Sequence, residues 1–459
     1  MRQNFALSVR RSISLLFILF AGVASAWAQY TDRAALADLG GPQEFARRRA
    51  ELLKQVKQGY VLLFAKIGLP EADHYREDND FYYFTGIQDP GAVLVMDAGT
   101  GKSTIFEPEQ PGRTKQIYGA NLLSLTREER EKLSTTDVMP LAVLDRLLGY
   151  SLGHETDVWL RLGFSDKADE ARPEIGGNYA EEYTHPYGER LPGDRGIIQR
   201  LAERYPAAHQ RDVTPFIDAM RNIKTPQEIA ILRRNGKLSA EGVRRAIAKS
   251  HPGIYEYEIE AEADYWFRKN GAQGWAYPAI VGSGNNINTW HYFSDREQIP
   301  ANGLVVFDFA ADLDHMTMDI TRTFSVNGKF TPEQAKWYAV DLEAQKACIA
   351  LLRPGHTYEE ASNAAKAVYE KAGIAKQWPE TWGFPGHFVG LATHDVLAPK
   401  GPIKLGQVVT VEPIVEFPDQ HLHFRVEDTI LITDGAPEIL SSAVPKEMDQ
   451  VERLVGSEK

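Results

Sequence analysis

The chain has 459 residues, 43% of them hydrophobic and 25% charged, values of a globular protein with room for two domains. A formal net charge of −12 argues against nucleic acid as a partner. Cys348 is the single cysteine, so an internal disulfide is excluded and stability has to come from core burial.

The first segment, "MRQNFALSVRRSISLLFILFAGVASAWAQ", starts with basic Arg2, Arg10 and Arg11 and continues into an apolar run over residues 13 to 24. Small residues then fall in A-x-A spacing at Ala24/Ala26 and Ala26/Ala28. This is the pattern of a secretory signal peptide over residues 1–28, with a run too short to span a membrane. It predicts a secreted, periplasmic protein with no membrane attachment after cleavage; an uncleaved anchor is the alternative.

Residues 29–215 read as a mixed α/β domain. "GYVLLFAKI", "FYYFTGI" and "GAVLVMDAGTGKSTIFEP" carry strand-like apolar runs, and "TREEREKLSTTDVM" and "AVLDRLLGYSL" read as helices. "GTGKST" at 99–104 lacks the spacing of a phosphate loop and sits between two strands, as a hairpin turn would. "IGGNYAEEYTHPYGERLPGDRG" is rich in Gly, Pro and polar residues and reads as a long loop.

Residues 216–459 are more regular. Thr225, Pro226 and Glu228 form a capping box ahead of a long helix, which "HPG" at 251–253 stops. "YEYEIEAEADYWFRKNGA" gives a second helix. The pattern returns with "TPEQ" at 331–334, "RPG" at 353–355 and "TYEEASNAAKAVYEKAG". Two similar α–α halves, each followed by strands, are expected, with an active site at their junction. Cys348 falls in a helical pattern and reads as a buried structural thiol.

Acids interrupt the apolar runs of this second half. In "VVFDFA" Asp308 shares a face with Val306, and in "DITRTF" Asp319 shares one with Thr321 and Thr323. "VVTVEPIVEF" places Glu412 in a further strand, and "HLHFRVEDTILIT" places Glu427 in another, with Arg425 and His423 on its face. "GHFVGLATHDV" supplies His387 and His394. Any one acid can be a rim residue or an arginine partner, but carboxylates brought together would repel unless positive charge sits among them. Four carboxylates and one imidazole suit two hard-to-borderline divalent ions such as manganese, which at roughly 3.5–4 Å apart can share and acidify a water.

The motifs "FDFA…MDITRTF", "GHFVGLATHDV", "VVTVEP" and "FRVEDTILIT" resemble the pita-bread metallopeptidases, in their aminopeptidase P (Xaa-Pro aminopeptidase) and prolidase branch. "IVGSGNNINTWHYF" and "YREDNDFYYFTGIQDPGAVLVMD" extend the likeness over most of the chain. The resemblance implies an α+β architecture, a creatinase-like N-terminal α/β domain followed by a pita-bread catalytic domain with pseudo-twofold α-α-β halves. It implies two divalent ions, manganese foremost with cobalt or zinc as substitutes, held by Asp308, Asp319, His387, Glu412 and Glu427. A bridging hydroxide would attack the carbonyl before proline, with Glu412 passing the proton to the proline nitrogen. His291 and His394 would hydrogen-bond the carbonyl, and Arg425 would orient Glu427 or meet the carboxyl side of the substrate. His421 and His423 receive no role and read as surface or supporting residues.

Two departures touch the substrate rim: Gly383 stands where many members carry a histidine, and the Glu412–Glu427 loop is short. The expected activity is removal of an amino-terminal residue preceding proline from peptides, by a homodimer or homotetramer. An Xaa-Pro dipeptidase and a metal-free peptide-binding module are the alternatives.

Overall fold

The computed structural model describes residues 33–67, 75–184, 193–379, 383–397 and 399–458; the signal-peptide expectation for residues 1–28 lies outside them. The first sheet is built from β1 (Tyr60–Phe64), β2 (Val93–Asp97), β3 (Ser103–Glu107), β4 (Asp137–Pro140), β5 (Thr156–Leu160) and β6 (Ala208–Asp212), in the order β4-β3-β2-β1-β5-β6. β2 and β3 form the expected hairpin around "GTGKST": Asp97 Oδ1 accepts the Gly99 and Thr100 N–H groups, and Gly101 takes φ +72° to close the turn.

Three expectations for this part fail for local reasons. "FYYFTGI" is no strand but the end of the helix Asn79–Thr85. Asp78 caps it by accepting from Asp80 and Phe81 N–H, and Gly86 ends it at φ +65°. The helix expected over "TREEREKLSTTDVM" stops at Glu131, and its last residues pair with β3 as β4. The expected long loop is helical over residues 175–184 and 193–196, within Arg172–Thr184 and Gly193–Arg204, while residues 185–192 lie outside the described residues. Packing overrode composition here: Arg172 is buried against Asp80, Asp166 and Asp218.

The second part repeats one plan. Helices Pro226–Lys249 and Glu256–Lys269 precede β7 (Gly274–Trp275), β8 (Ile280–Ser283), β9 (Leu304–Asp308), β10 (Ala311–Asp312) and β11 (Thr321–Ser325). Helices Pro332–Ile349 and Tyr358–Lys371 precede β12 (Val408–Val411), β13 (Ile414–Phe417), β14 (Leu422–Arg425), β15 (Asp428–Leu431) and β16 (Glu438–Ile439). Thr225 and Thr331 both close capping boxes, as the sequence predicts. Cys348 is buried on its helix.

Strand parity distributes these residues between two cores. On β9, Val305 and Phe307 pack into a core shared with the N-terminal part, including Phe45 and Leu52. Leu304 and Val306 pack into the core of the second half, and Asp308 shares their parity. The N-terminal part is thus joined to the first α–α half through continuous apolar burial.

A buried ion network reinforces that joint. Asp80 accepts from Arg161 (2.8 Å), Arg172 (2.8 Å) and Arg221 (2.9 Å). Arg221 also donates to Asp166 (2.5 Å) and to Asp395, which Lys224 meets at 2.9 Å. Burial alone would raise Asp80; the arginines outweigh it and hold the carboxyl below the usual carboxylate range. Replacing Arg221 by Ala strands Asp80, Asp166 and Asp395 without their shared cation. Urea denaturation should show a loss of about 3–5 kcal/mol.

Asp89 and Glu107 lie buried in the N-terminal part with fewer donors. Asp89 accepts from Leu122 N–H (2.7 Å) and Glu107 from Asn121 (3.4 Å). Burial pushes Asp89 up to about 6, and burial with repulsion from Asp89 and Glu77 pushes Glu107 well above its usual range. Folded values above unfolded ones mean stability present in acid and lost as pH rises through about 6 and beyond. Thermal melts should therefore fall between pH 5 and pH 8. Glu107→Gln, with an amide donor facing Asp89, should flatten that fall and raise Tm at pH 8.

Candidate active site

β9 and β11 pair antiparallel with Thr321 opposite Asp308, and the chain between them turns back through β10. This brings Asp308 and Asp319 together, as the hairpin reading predicts. Asp308, Asp319 and Glu427 offer oxygens within 4.8 Å of one another, and a His387 nitrogen lies equally close to oxygens of Glu412 and Glu427 in a second set. The five residues expected to hold metal therefore converge. His394 joins Asp319 and His387 in a third such set.

The acids sit differently from the strand-interior expectation. Only Asp308 ends a strand from within; Asp319 precedes β11, Glu412 follows β12, and Glu427 lies in the break between β14 and β15. At a strand end the backbone leaves the ladder, and a side chain can turn from the sheet face toward the cleft. Glu427 N–H, freed from a partner strand, instead donates to the Thr321 carbonyl (3.0 Å). His423, expected on the face of Glu427, is instead the cross-strand partner of Glu416 in the β13–β14 pair (3.4 Å), while His421 is exposed at φ +52°.

Neighbouring donors fix most of the carboxylate orientations. Asp308 accepts from Tyr277 Oη (2.5 Å) and from Arg425 Nη2 (2.6 Å). Arg425 Nε donates to Thr321 Oγ1 (3.2 Å), whose hydroxyl donates to Glu427 Oε2 (2.6 Å). Arg425 thus meets Asp308 directly and reaches Glu427 only through Thr321. Thr410 receives His387 N–H (3.0 Å) and donates to Glu412 (3.3 Å). A Cβ on Gly386 would lie 2.3 Å from the Thr410 carbonyl oxygen, so only glycine lets the His387 segment approach β12 this closely.

His387 Nδ1 lies 3.2 Å from the Phe388 carbonyl, which directs Nε2 toward Asp319 (3.4 Å) and Glu412 (3.2 Å). Asp319 Oδ1 and Glu427 Oε1 are buried without a hydrogen-bond partner among the described residues. Burial pushes Asp308 up to about 7, against the pull of Arg425. Burial and repulsion from Asp319, Glu412 and Asp308 push Glu427 well above its usual range. Burial would lower His387; its bonds to Asp319 and Glu412 win and raise it well above 6.5. The donor set is therefore short of positive charge, with orphaned oxygens converging on one point. Such a set fits divalent cations.

The cluster opens into a cleft of about 1160 Å³ lined by His291, His394, Trp290, Phe384 and Arg425 among others. His291 lies in an exposed turn, not a strand, and stacks on Phe293. His394 packs on His387 with ring centroids 4.0 Å apart and bonds Glu174 (2.6 Å). Gly383 is exposed on the cleft wall with open space where a side chain would stand.

Residues 230–434 match metallopeptidase family M24, and residues 45–159 match the aminopeptidase P N-terminal domain. An Xaa-Pro aminopeptidase of Escherichia coli (strain K12) is 32% identical over 451 residues, covering 90% of this chain and 97% of its own. The chain belongs to metallopeptidase family M24. Aminopeptidase P from E. coli with the inhibitor Pro-Leu superposes with a TM-score of 0.74 at 28% identity, over 90% of this chain and 98% of that one. A zinc-substituted E. coli aminopeptidase P in complex with product matches equally, with TM-score 0.74, 28% identity and the same coverage. The expected M24 architecture, an aminopeptidase P-type N-terminal domain before a pita-bread domain, is the one observed.

Tyr277 and Glu174 escaped the sequence reading. Tyr277 precedes β8 in "WAYPAIVGSG" and looks like an ordinary aromatic before an apolar strand; Glu174 stands just before the stretch that read as loop. Neither carries a local signal. Metal uptake by this M24 member has a readout apart from turnover. At a hundredfold excess over Kd, manganese should stabilise chelator-stripped protein by about 2.7 kcal/mol. Asp319→Asn should abolish that thermal shift and the bound metal measured by elemental analysis.

Proposed function

We propose that this protein is an Xaa-Pro aminopeptidase using two divalent ions, manganese foremost, with residues 29–215 capping a catalytic unit over 216–459. The observation that carries the reading is the convergence of four carboxylates and His387, with orphaned oxygens on Asp319 and Glu427, at the foot of an open cleft. The relatives' names supply the bond to be cut.

The bond before proline is a tertiary amide without N–H, and the fixed proline φ keeps it out of an ordinary extended-strand cleft. When bound, the ions supply an activated water and polarise the scissile carbonyl. The protein does the rest. Glu412, whose carboxyl His387 holds low against the effect of burial, takes up the water's proton and delivers it to the proline nitrogen. His291 donates to the carbonyl oxygen as negative charge develops there, the task at which preorganised donors contribute most, and His394 hydrogen-bonds the same developing tetrahedral centre. Arg425 and Tyr277 keep Asp308 in place from both sides.

Two features favour an aminopeptidase over a dipeptidase. Arg425, the candidate anchor for a dipeptide carboxylate, is engaged with Asp308 and Thr321. The cleft also exceeds the roughly 300–1,000 Å³ that holds a drug-sized ligand, leaving room beyond proline. We further propose export to the periplasm, supported by the pattern over residues 1–28, and a homodimer or homotetramer. The mature amino terminus, read by sequencing, and light scattering check these two points.

Protein stripped with chelator and resupplied with manganese should release the first residue of an Xaa-Pro-Xaa tripeptide, and Asp319→Asn should not. Cleavage of an Xaa-Pro dipeptide alone would make the enzyme a dipeptidase. Folded, metal-loaded protein that cuts neither would leave a peptide-binding module.

A further inference from the structure

His394 stands on a loop pinned from both sides. Thr393 N–H donates to Ala168 O (2.6 Å), Asp395 N–H donates to Phe388 O (2.8 Å), and the Asp395 carboxylate is held by Arg221 and Lys224. These contacts fix the backbone; the orientation of the imidazole depends on the ring's own contacts, its packing on His387 among them. Among the described residues the ring has one hydrogen bond, from Nδ1 to Glu174 Oε1 at 2.6 Å.

Glu174 is itself immobilised. It lies in the first turn of the helix Arg172–Thr184, and its Oε2 accepts the Ala171 N–H (2.8 Å), an orphan donor of that helix start. The carboxylate therefore spends one oxygen on its own helix and aims the other at the imidazole. A carboxylate only accepts, so Nδ1 carries the hydrogen and Nε2 is turned away from Glu174. The ring lies on the cleft wall, packed against His387. The helix belongs to the part of the chain before the catalytic half, 220 residues away in sequence.

We propose that Glu174 is a positioning residue for His394, holding the ring so that Nε2, as an acceptor, faces the cleft where it can meet a polar hydrogen of the substrate or of the tetrahedral centre, and so makes the N-terminal part a component of the catalytic apparatus. The inference rests on the aminopeptidase reading above. It assigns to Glu174 the work that a carboxylate commonly does behind a functional imidazole, where loss of the outer partner costs roughly 10–100-fold.

The test compares wild type, Glu174→Ala, Glu174→Gln, His394→Ala and the Glu174→Ala/His394→Ala double variant, all manganese-loaded, on one Xaa-Pro-Xaa tripeptide. Glu174→Ala should lower kcat roughly 10–100-fold with KM within about twofold. The double variant should be no slower than His394→Ala, because the carboxylate acts only through the ring. Glu174→Gln, which can still cap Ala171 through its amide oxygen, should be as slow as Glu174→Ala. Recovery of wild-type kcat by Glu174→Gln would reduce Glu174 to a helix cap and overturn the proposal, as would multiplicative losses in the double variant.

A spectroscopic arm stands apart from turnover. In zinc-loaded protein with labelled histidine, the His394 ring-nitrogen signals should show a protected Nδ1–H in wild type, lost in both Glu174 variants. If wild type cleaves no Xaa-Pro peptide, the aminopeptidase reading fails. This spectrum alone then judges the Glu174–His394 link, and unchanged signals would overturn it.

Discussion

A carboxylate removed from water must find positive charge or take up a proton, and among the places where this chain buries such groups, two are neighbours. At the joint between its two parts, Asp80, Asp166 and Asp395 receive that charge from Arg161, Arg172, Arg221 and Lys224. At the foot of the cleft, Asp308, Asp319, Glu412 and Glu427 face one guanidinium, Arg425, and the His387 imidazole. The first set closes on itself and is structural. The second does not balance, and the imbalance is what fits it to cations.

The two sets are mechanically connected. Arg221 and Lys224 grip Asp395, the residue after His394, while Ala168 and Glu174 reach the same loop from the N-terminal part. A loop carrying a candidate catalytic imidazole is thus held by elements far apart in sequence. Buried pairs of this kind contribute little net stability compared with apolar packing, yet removing one partner is costly, so they fix geometry. Tyr277, Thr321 and Thr410 do the same inside the cluster, each orienting a carboxylate or the His387 backbone by one short bond.

Some of this was readable in advance and some was not, for reasons tied to particular residues. The capping boxes at Thr225 and Thr331 are local, so the repeated helix pair was visible as a repeated pattern. The acids stood out because charge inside an apolar run is costly wherever the run ends up. "FYYFTGI" misled because its apolar residues are all buried: both faces of the helix Asn79–Thr85 pack inward, erasing the helical period. The stretch after Arg172 misled because its helix is supported by an arginine buried among distant aspartates, a partnership no local window contains.

The linear chain by itself determined which chemistry was available: one cysteine, an acidic surface, and a series of Asp, His and Glu residues placed where burial would demand neutralisation. Those are properties of residue type and near neighbours. Only the tertiary structure decided that the acids lie at strand ends where the backbone turns, that Arg425 grips Asp308 while touching Glu427 through Thr321, and that Glu174 stands behind His394. Each of these is a contact between segments tens to hundreds of residues apart, set by how the sheets and helices pack, and that information exists only once the chain has closed on itself.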